Sequence, residues 1–434
     1  MPETMDIKVT HITRVEGHGN IRVRAADGKI QQVEWQVPEA PRFFEAMMRG
    51  RSWEEVQTVA CRVCGICSFA HSLAATKAVE AAMGIEISEQ TDRLRLLAYG
   101  GEMLESHALH VGYLVAPDLL GVTSVIPLVA SHPEVVLAVI RAHRLGNDWM
   151  EMLGGRRTHP ISFRPGGFGR VPSESQLREL KERLAKVVPD LKLIAETVLA
   201  LKEKIPQFDR DTEYIALVQP DTYTFYHGSI GTTDSPDLTP VREFESVANE
   251  YMNEQSTAKW ARWHRASYAV GALARFKLNS HHLHPLAKQT AKALGLTPKC
   301  CNPYMNSVAQ VVEAVETVEA ALEQIEWLLT KGVRFEGLPK ITPRASVGAA
   351  AVEAPRGTLF HRYSFDAQGL CTAANLCIPT NQNHGNIQKD FEALVPQVMH
   401  RGQDEVRLLL EMLVRSYDPC VSCSTHYLNV EFVR

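Results

Sequence analysis

Arg62-Val63-Cys64-Gly65-Ile66-Cys67-Ser68-Phe69-Ala70-His71 and, at the far end of the chain, Asp418-Pro419-Cys420-Val421-Ser422-Cys423-Ser424-Thr425-His426 each carry a Cys-x-x-Cys pair. A structural zinc site draws its second pair from about 15–20 residues away, because it staples a local loop. Pairs taken from the two ends of a 434-residue chain instead describe one site around which the whole fold closes. Soft thiolates select soft metals, so zinc, iron–sulfur, copper(I) and a nickel/iron centre are the candidates.

Such a shared site argues against the two or three domains that length suggests at about 100–200 residues each. A single domain over 1–434 is expected, divided into a β-meander (1–40), a helical core holding the metal site (41–426) and a tail strand (427–434). Hydrophobic residues at 45% and charged residues at 22% are ordinary for a large globular core. A net charge of −4 gives no electrostatic argument for nucleic acid or an anionic membrane surface. No apolar run of about 18 residues encodes a membrane span, and Met1-Pro2-Glu3-Thr4 lacks a basic, then apolar leader. A cytoplasmic location is the resulting expectation. Cys61, Cys300, Cys301, Cys371 and Cys377, outside the two pairs, read as free and mostly buried thiols.

The fold class is α+β and mainly α: a long-helix bundle core, a small N-terminal antiparallel β-meander, and a metal site closed by both chain ends. Alternation over Ile7 to His11, Asn20 to Ala25 and Ile30 to Val37, with a turn at Ala26-Asp27-Gly28, gives the meander. Helical periods follow over 68–83, 91–113, 134–153, from a capping box at Ser173-x-x-Gln176, and over 305–331. The first puts Cys67 at a helix N-terminus, where the dipole favours a thiolate. In the last, glutamates 313, 316, 319, 323 and 326 are expected mostly outward. Stretches near 155–172, 205–240 and 333–365 read as loops. His281-His282-x-His284 reads as a surface loop with no carboxylate partner, and His107 and His110 share a helix face on a candidate proton path.

The two cysteine strings, with Arg14-Val15-Glu16-Gly17-His18, Ala354-Pro355-Arg356-Gly357 and Pro379-Thr380-Asn381-Gln382-Asn383, occur in the order found in the large, catalytic subunit of nickel–iron hydrogenases, which the chain resembles. The resemblance implies reversible, heterolytic H2 oxidation and proton reduction. Cys64 and Cys420 would be terminal nickel ligands, and Cys67 and Cys423 would bridge to an iron carrying carbon monoxide and cyanide. Cys420 would accept the first proton and Glu16 would relay it. Arg356 would lie over the open face of the metals, steadied by Asp418. Pro355, Thr380 and His71 would touch the cofactor or its ligands, His71 by donating to a cysteine sulfur.

The same resemblance implies a magnesium or similar ion held by Glu45, His426 and a backbone carbonyl near Leu376. No Cys-x-x-Cys-x-x-Cys run, Gly-x-Gly-x-x-Gly turn or P-loop is present, so another chain must take the electrons. The implied partners are an iron–sulfur small subunit and further flavin or iron–sulfur subunits of a soluble complex, which would pass electrons to NAD(P), a deazaflavin or ferredoxin. Relatives often lose an extension after the residue matching His426, and residues 427–434 depart from that pattern as a tail strand or an unprocessed precursor. A non-catalytic metal–tetrathiolate scaffold leaves Glu16 and Arg356 unexplained, and a quinone-module subunit of a respiratory complex would lack the thiolates.

Overall fold

Alternation builds the N-terminal sheet as expected. In a computed structural model that describes residues 4–426, strands Thr4–Val9, Asn20–Ala26 and Lys29–Gln36 pair antiparallel. Asp27 and Gly28, both at positive φ, make the tight turn whose twist suits two paired strands. Met5, Ile7 and Val9 fall on the same buried face as Ile21, Val23 and Ala25. The strand expected over 427–434 lies outside the described residues.

Helices Ser68–Met83, Glu89–Leu109, Pro133–Gly154, Glu174–Ala200 and Asn306–Lys331 match the periodic segments closely. The capping box at Ser173 and Gln176 is formed, and Pro189 sits inside its helix. Helix Glu89–Leu109 packs against Pro133–Gly154 and Asn306–Lys331, and continues into a π-helical turn at His110–Val115. Among the described residues, no helix is long and apolar enough to cross a membrane.

Two expectations about polar residues need correction. Glu313 and Glu316 are buried, because the first pairs with Arg275 and the second with His284. Correspondingly, His284 does have carboxylate partners: its Nδ1 lies 2.7 Å from Glu316 and its Nε2 3.3 Å from Glu323. The Glu316 hydrogen bond leads in raising this imidazole to about 9 from an ordinary 6.5, with burial opposing. A raised folded value means stabilisation that is complete below about pH 6.5 and lost as pH rises through about 9. His284→Gln should therefore flatten the pH dependence of the thermal midpoint in that window. Parallel midpoint curves for variant and parent would remove this linkage.

The stretches expected as loops near 205–240 and 333–365 contain strands. Residues 346–377 form a buried antiparallel sheet, Ser346–Ala354, Gly357–Phe365 and Cys371–Cys377, and strands Glu213–Val218 and Ser229–Thr232 pair within 205–240. Apart from Cys371–Cys377, both faces of these strands are largely covered, so they lack the polar/apolar alternation that reveals a half-exposed strand. Strand Ser346–Ala354 lies directly on helix Ser68–Met83: a Cβ at Gly348 would collide with the Ala78 carbonyl. That contact sets the helix of the first cysteine pair against the hairpin whose tip is Pro355-Arg356.

Candidate metal centre

Each cysteine pair opens a helix. Cys67 is the N-cap of Ser68–Met83 and Cys420 that of the short helix Val421–Ser424, as the dipole argument requires for the first pair. The four sulfurs of Cys64, Cys67, Cys420 and Cys423 all lie within 4.8 Å of one another, fully enclosed. Cys64 Sγ is 3.5 Å from Cys420 Sγ and accepts the Cys67 N–H at 3.2 Å. The Cys420 and Cys423 sulfurs lie in direct contact, and they ligate a metal as separate thiolates. A side-chain hydrogen bond with the Cys67 thiol lowers the Cys64 thiol against the effect of burial, while that bond and burial push Cys67 well up. A cation at the centre would stabilise both thiolates.

Arg42 ties the two loops together. Its Nη2 donates to the Val63 carbonyl at 2.7 Å and to that of Ser422, and its backbone N–H donates to Thr425 O. Thr380 Oγ1, at the start of helix Pro379–Val398, accepts the Cys420 N–H at 3.0 Å. From the 154–160 loop, His159 reaches the first pair's segment through Ser68 Oγ and the Cys61 carbonyl. Arg14, Phe43, His159 and Asp418 all adopt positive φ, an uncommon conformation that clusters at functional sites.

Glu16 meets the second pair edge-on. It forms an isolated bridge with Cys420, its carbonyl accepts the Val421 N–H, and its Oε2 lies 3.1 Å from Cys420 Sγ and 3.2 Å from the Ser422 nitrogen. Its side chain is half-buried. Arg356, 4% exposed at the hairpin tip, donates from Nε to Asp418 Oδ1 at 3.0 Å. Burial opposes its charge, yet Asp418, Cys67, Cys64 and Glu16 together keep it protonated. Among the described residues its Nη1 has no hydrogen-bond partner, as expected of a donor awaiting a bound group. Gln310 Nε2 donates to the other Asp418 oxygen and Gln310 Oε1 meets His110, whereas His107 pairs with Glu313 instead.

His71 is fully buried one turn into the first helix, and burial chiefly lowers it to about 3, so it is neutral. Its Nδ1 lies 3.1 Å from His361 Nε2, whose own Nδ1 faces Tyr363 Oη at 2.7 Å. If the tyrosine hydroxyl donates, the protons run through both rings and leave His71 Nε2–H as the terminal donor. Among the described residues that nitrogen has no hydrogen-bond partner.

A second group forms where Glu45, Leu376 and His426 converge. His426 Nε2 is 2.7 Å from the Leu376 carbonyl and 3.5 Å from Glu45 Oε1, while its Nδ1 faces the Cys423 carbonyl at 2.9 Å. With Nδ1–H donating to Cys423 and Nε2 unprotonated, three electron-rich atoms would point at one another, a conflict that either a proton on Nε2 or a cation resolves. Burial raises the Glu45 carboxyl, but hydrogen bonding and charge from His426, then Lys259, hold it below the usual range.

The sequence pattern of the family described as nickel-dependent hydrogenase matches residues 42–136 and 214–426, and a HoxL-like pattern matches 6–40. The chain belongs to the nickel-dependent hydrogenase family. Sulfhydrogenase 1 subunit alpha of Pyrococcus furiosus is 31% identical over 430 residues, 98% of this chain and 99% of the relative. The NAD-reducing hydrogenase HoxS subunit beta of Cupriavidus necator is 27% identical, covering 96% and 94%. A solved NAD+-reducing [NiFe]-hydrogenase in the H2-reduced state superimposes with a TM-score of 0.88 at 25% identity, covering 97% and 99%. This chain is thus a hydrogenase catalytic subunit, an oxidoreductase acting on hydrogen, and its four cysteines are the ligands available for a nickel–iron centre.

Arg42, Gln310, His361 and Tyr363 were not legible as parts of the site. Each enters through a long-range hydrogen bond, and none sits in a motif whose spacing announces a role.

Proposed function

We propose that Cys64 and Cys420 are terminal nickel ligands, that Cys67 and Cys423 bridge nickel to an iron carrying carbon monoxide and cyanide, and that Glu16 carries the proton of H2 cleavage. When bound, the centre supplies a Lewis acid that polarises hydrogen and takes up its electrons. The observation that carries the reading is the Glu16 carboxylate 3.1 Å from the Cys420 sulfur, within direct proton-transfer reach. Glu16 is half-buried, as a relay between an enclosed sulfur and solvent requires. Asp418 holds Arg356, whose free Nη1 and fixed charge would act on a ligand of iron or on H2. His71 Nε2–H would donate to a sulfur, and Pro355 and Thr380 would line the cofactor.

The same reading treats 1–434 as one domain, since apolar residues from Met5 to Cys423 share one core. It also assigns electron transfer to an iron–sulfur small subunit and further redox subunits, in a cytoplasmic complex. Subunit-named relatives support that assembly, and the NAD-reducing ones favour a pyridine nucleotide over a deazaflavin or ferredoxin as acceptor. Metal analysis with infrared spectroscopy of the purified complex tests the reading. Nickel and iron with carbon monoxide and cyanide bands support it; zinc alone without bands would return the scaffold alternative.

Glu45, the Leu376 carbonyl and His426 would hold magnesium, with water completing the octahedron. At a cation concentration about 100 times Kd, such a site stabilises the fold by about 2.7 kcal/mol. Chelation should therefore lower the thermal midpoint of the parent and leave that of Glu45→Gln unmoved. An equal drop in both would separate the ion from Glu45.

A further inference from the structure

The hairpin tip that presents Arg356 is gripped from behind by a second arginine. Ala354 pairs with Gly357, which leaves Pro355 and Arg356 as the tip. Arg275, 0% exposed on helix Ala272–Asn279, donates from Nη1 to the Ala354 carbonyl at 2.9 Å and from Nη2 to the Pro355 carbonyl at 3.0 Å. Its Nε and Nη2 each lie 2.6 Å from a Glu313 oxygen, and its Nη1 lies 3.1 Å from Glu353. One planar guanidinium thus joins two carboxylates to the two carbonyls just before Arg356.

Backbone packing reaches the same place independently. Gly271 and Gly357 take φ values of 123° and 135°; a Cβ on the first would lie 3.3 Å from the Arg356 carbonyl, and one on the second would overlap Val270. Asn306 accepts the Leu273 N–H at 2.9 Å and donates to the Ser416 carbonyl at 2.8 Å, two residues before Asp418. Both members of the Arg356–Asp418 pair are therefore located relative to segment 270–275. Burying a guanidinium with two carboxylates is a poor route to stability, since apolar side chains of similar volume often do as well or better. A rigid fork that reads backbone carbonyls suits a different task.

We propose that Arg275, held by Glu313 and Glu353, is a positioning residue that fixes the Pro355–Arg356 tip over the metal centre. The proposal rests on the cofactor and Arg356 reading above, and its test separates the two. Infrared bands of the metal-bound diatomic ligands, nickel content and turnover are compared in the intact complex for the parent, Arg275→Lys, Arg356→Lys and the double variant. Arg275→Lys should keep its nickel, shift the bands in the same sense as Arg356→Lys, and lower turnover about 10–100-fold. The double variant should lose no more than Arg356→Lys alone, because one residue acts through the other. Unmoved bands with multiplying losses overturn the positioning role and leave Arg275 a structural residue. Should Arg275→Lys fail to assemble, Glu313→Gln keeps the Arg275 charge and should give a smaller shift of the same sign; unmoved bands there also overturn it. Bands missing from the parent overturn the cofactor reading and this proposal with it.

Discussion

Glu16→Gln should lower hydrogen/deuterium exchange with solvent by at least about 100-fold, the lower range for loss of a positioned acid–base group, with nickel and iron content unchanged. Glutamine keeps the size of the side chain and an oxygen to accept the Ser422 N–H, and the backbone bond from Val421 does not involve the side chain. What it removes is the capacity to take a proton from the Cys420 sulfur and release it. Structural damage would appear as lost metal, because Glu16 pairs through its backbone with Cys420 and Val421 of the second cysteine pair. Exchange at the parent rate with full metal content would take Glu16 off the proton path.

Arg356→Lys should cost about 10²–10³-fold in turnover, the range for removing one preorganised donor from an active site, again at full nickel content. The lysine keeps a formal charge but cannot both reach Asp418 with Nε–H and present the free Nη1 donor. Burial also works against an ammonium, lowering its pKa, whereas a guanidinium stays charged. Turnover within about twofold of the parent would remove Arg356 from the chemistry.

The meander and helix Asn306–Lys331 are legible because each carries a repeating apolar pattern along a local stretch, and helix Ser68–Met83, buried almost all round, because it is rich in alanine and ends at Gly84. Sheet 346–377 is not, since a strand covered on both faces loses its alternation and Ser346–Ala354 is mostly alanine and glycine. Helix Pro379–Val398 is similarly hidden: Asn381, Gln382, Asn383, His384 and Asn386 are all buried, serving as hydrogen-bond partners of distant backbone and side chains. Glu313 and Glu316 read as solvent-facing for a related reason, because their partners lie outside the helix that carries them.

The sequence by itself determined the ligand chemistry on offer, since thiolates in two Cys-x-x-Cys pairs select a soft metal wherever the fold places them, and it located the helix that the first pair begins. Only the tertiary structure decided how Glu16 meets Cys420, how Arg42 joins Val63 to Ser422, and how Arg275 grips the turn before Arg356. These are pairings between residues far apart in the chain. Their energies depend on burial and on the direction of single hydrogen bonds, and neither property has a period that a local stretch of residues displays.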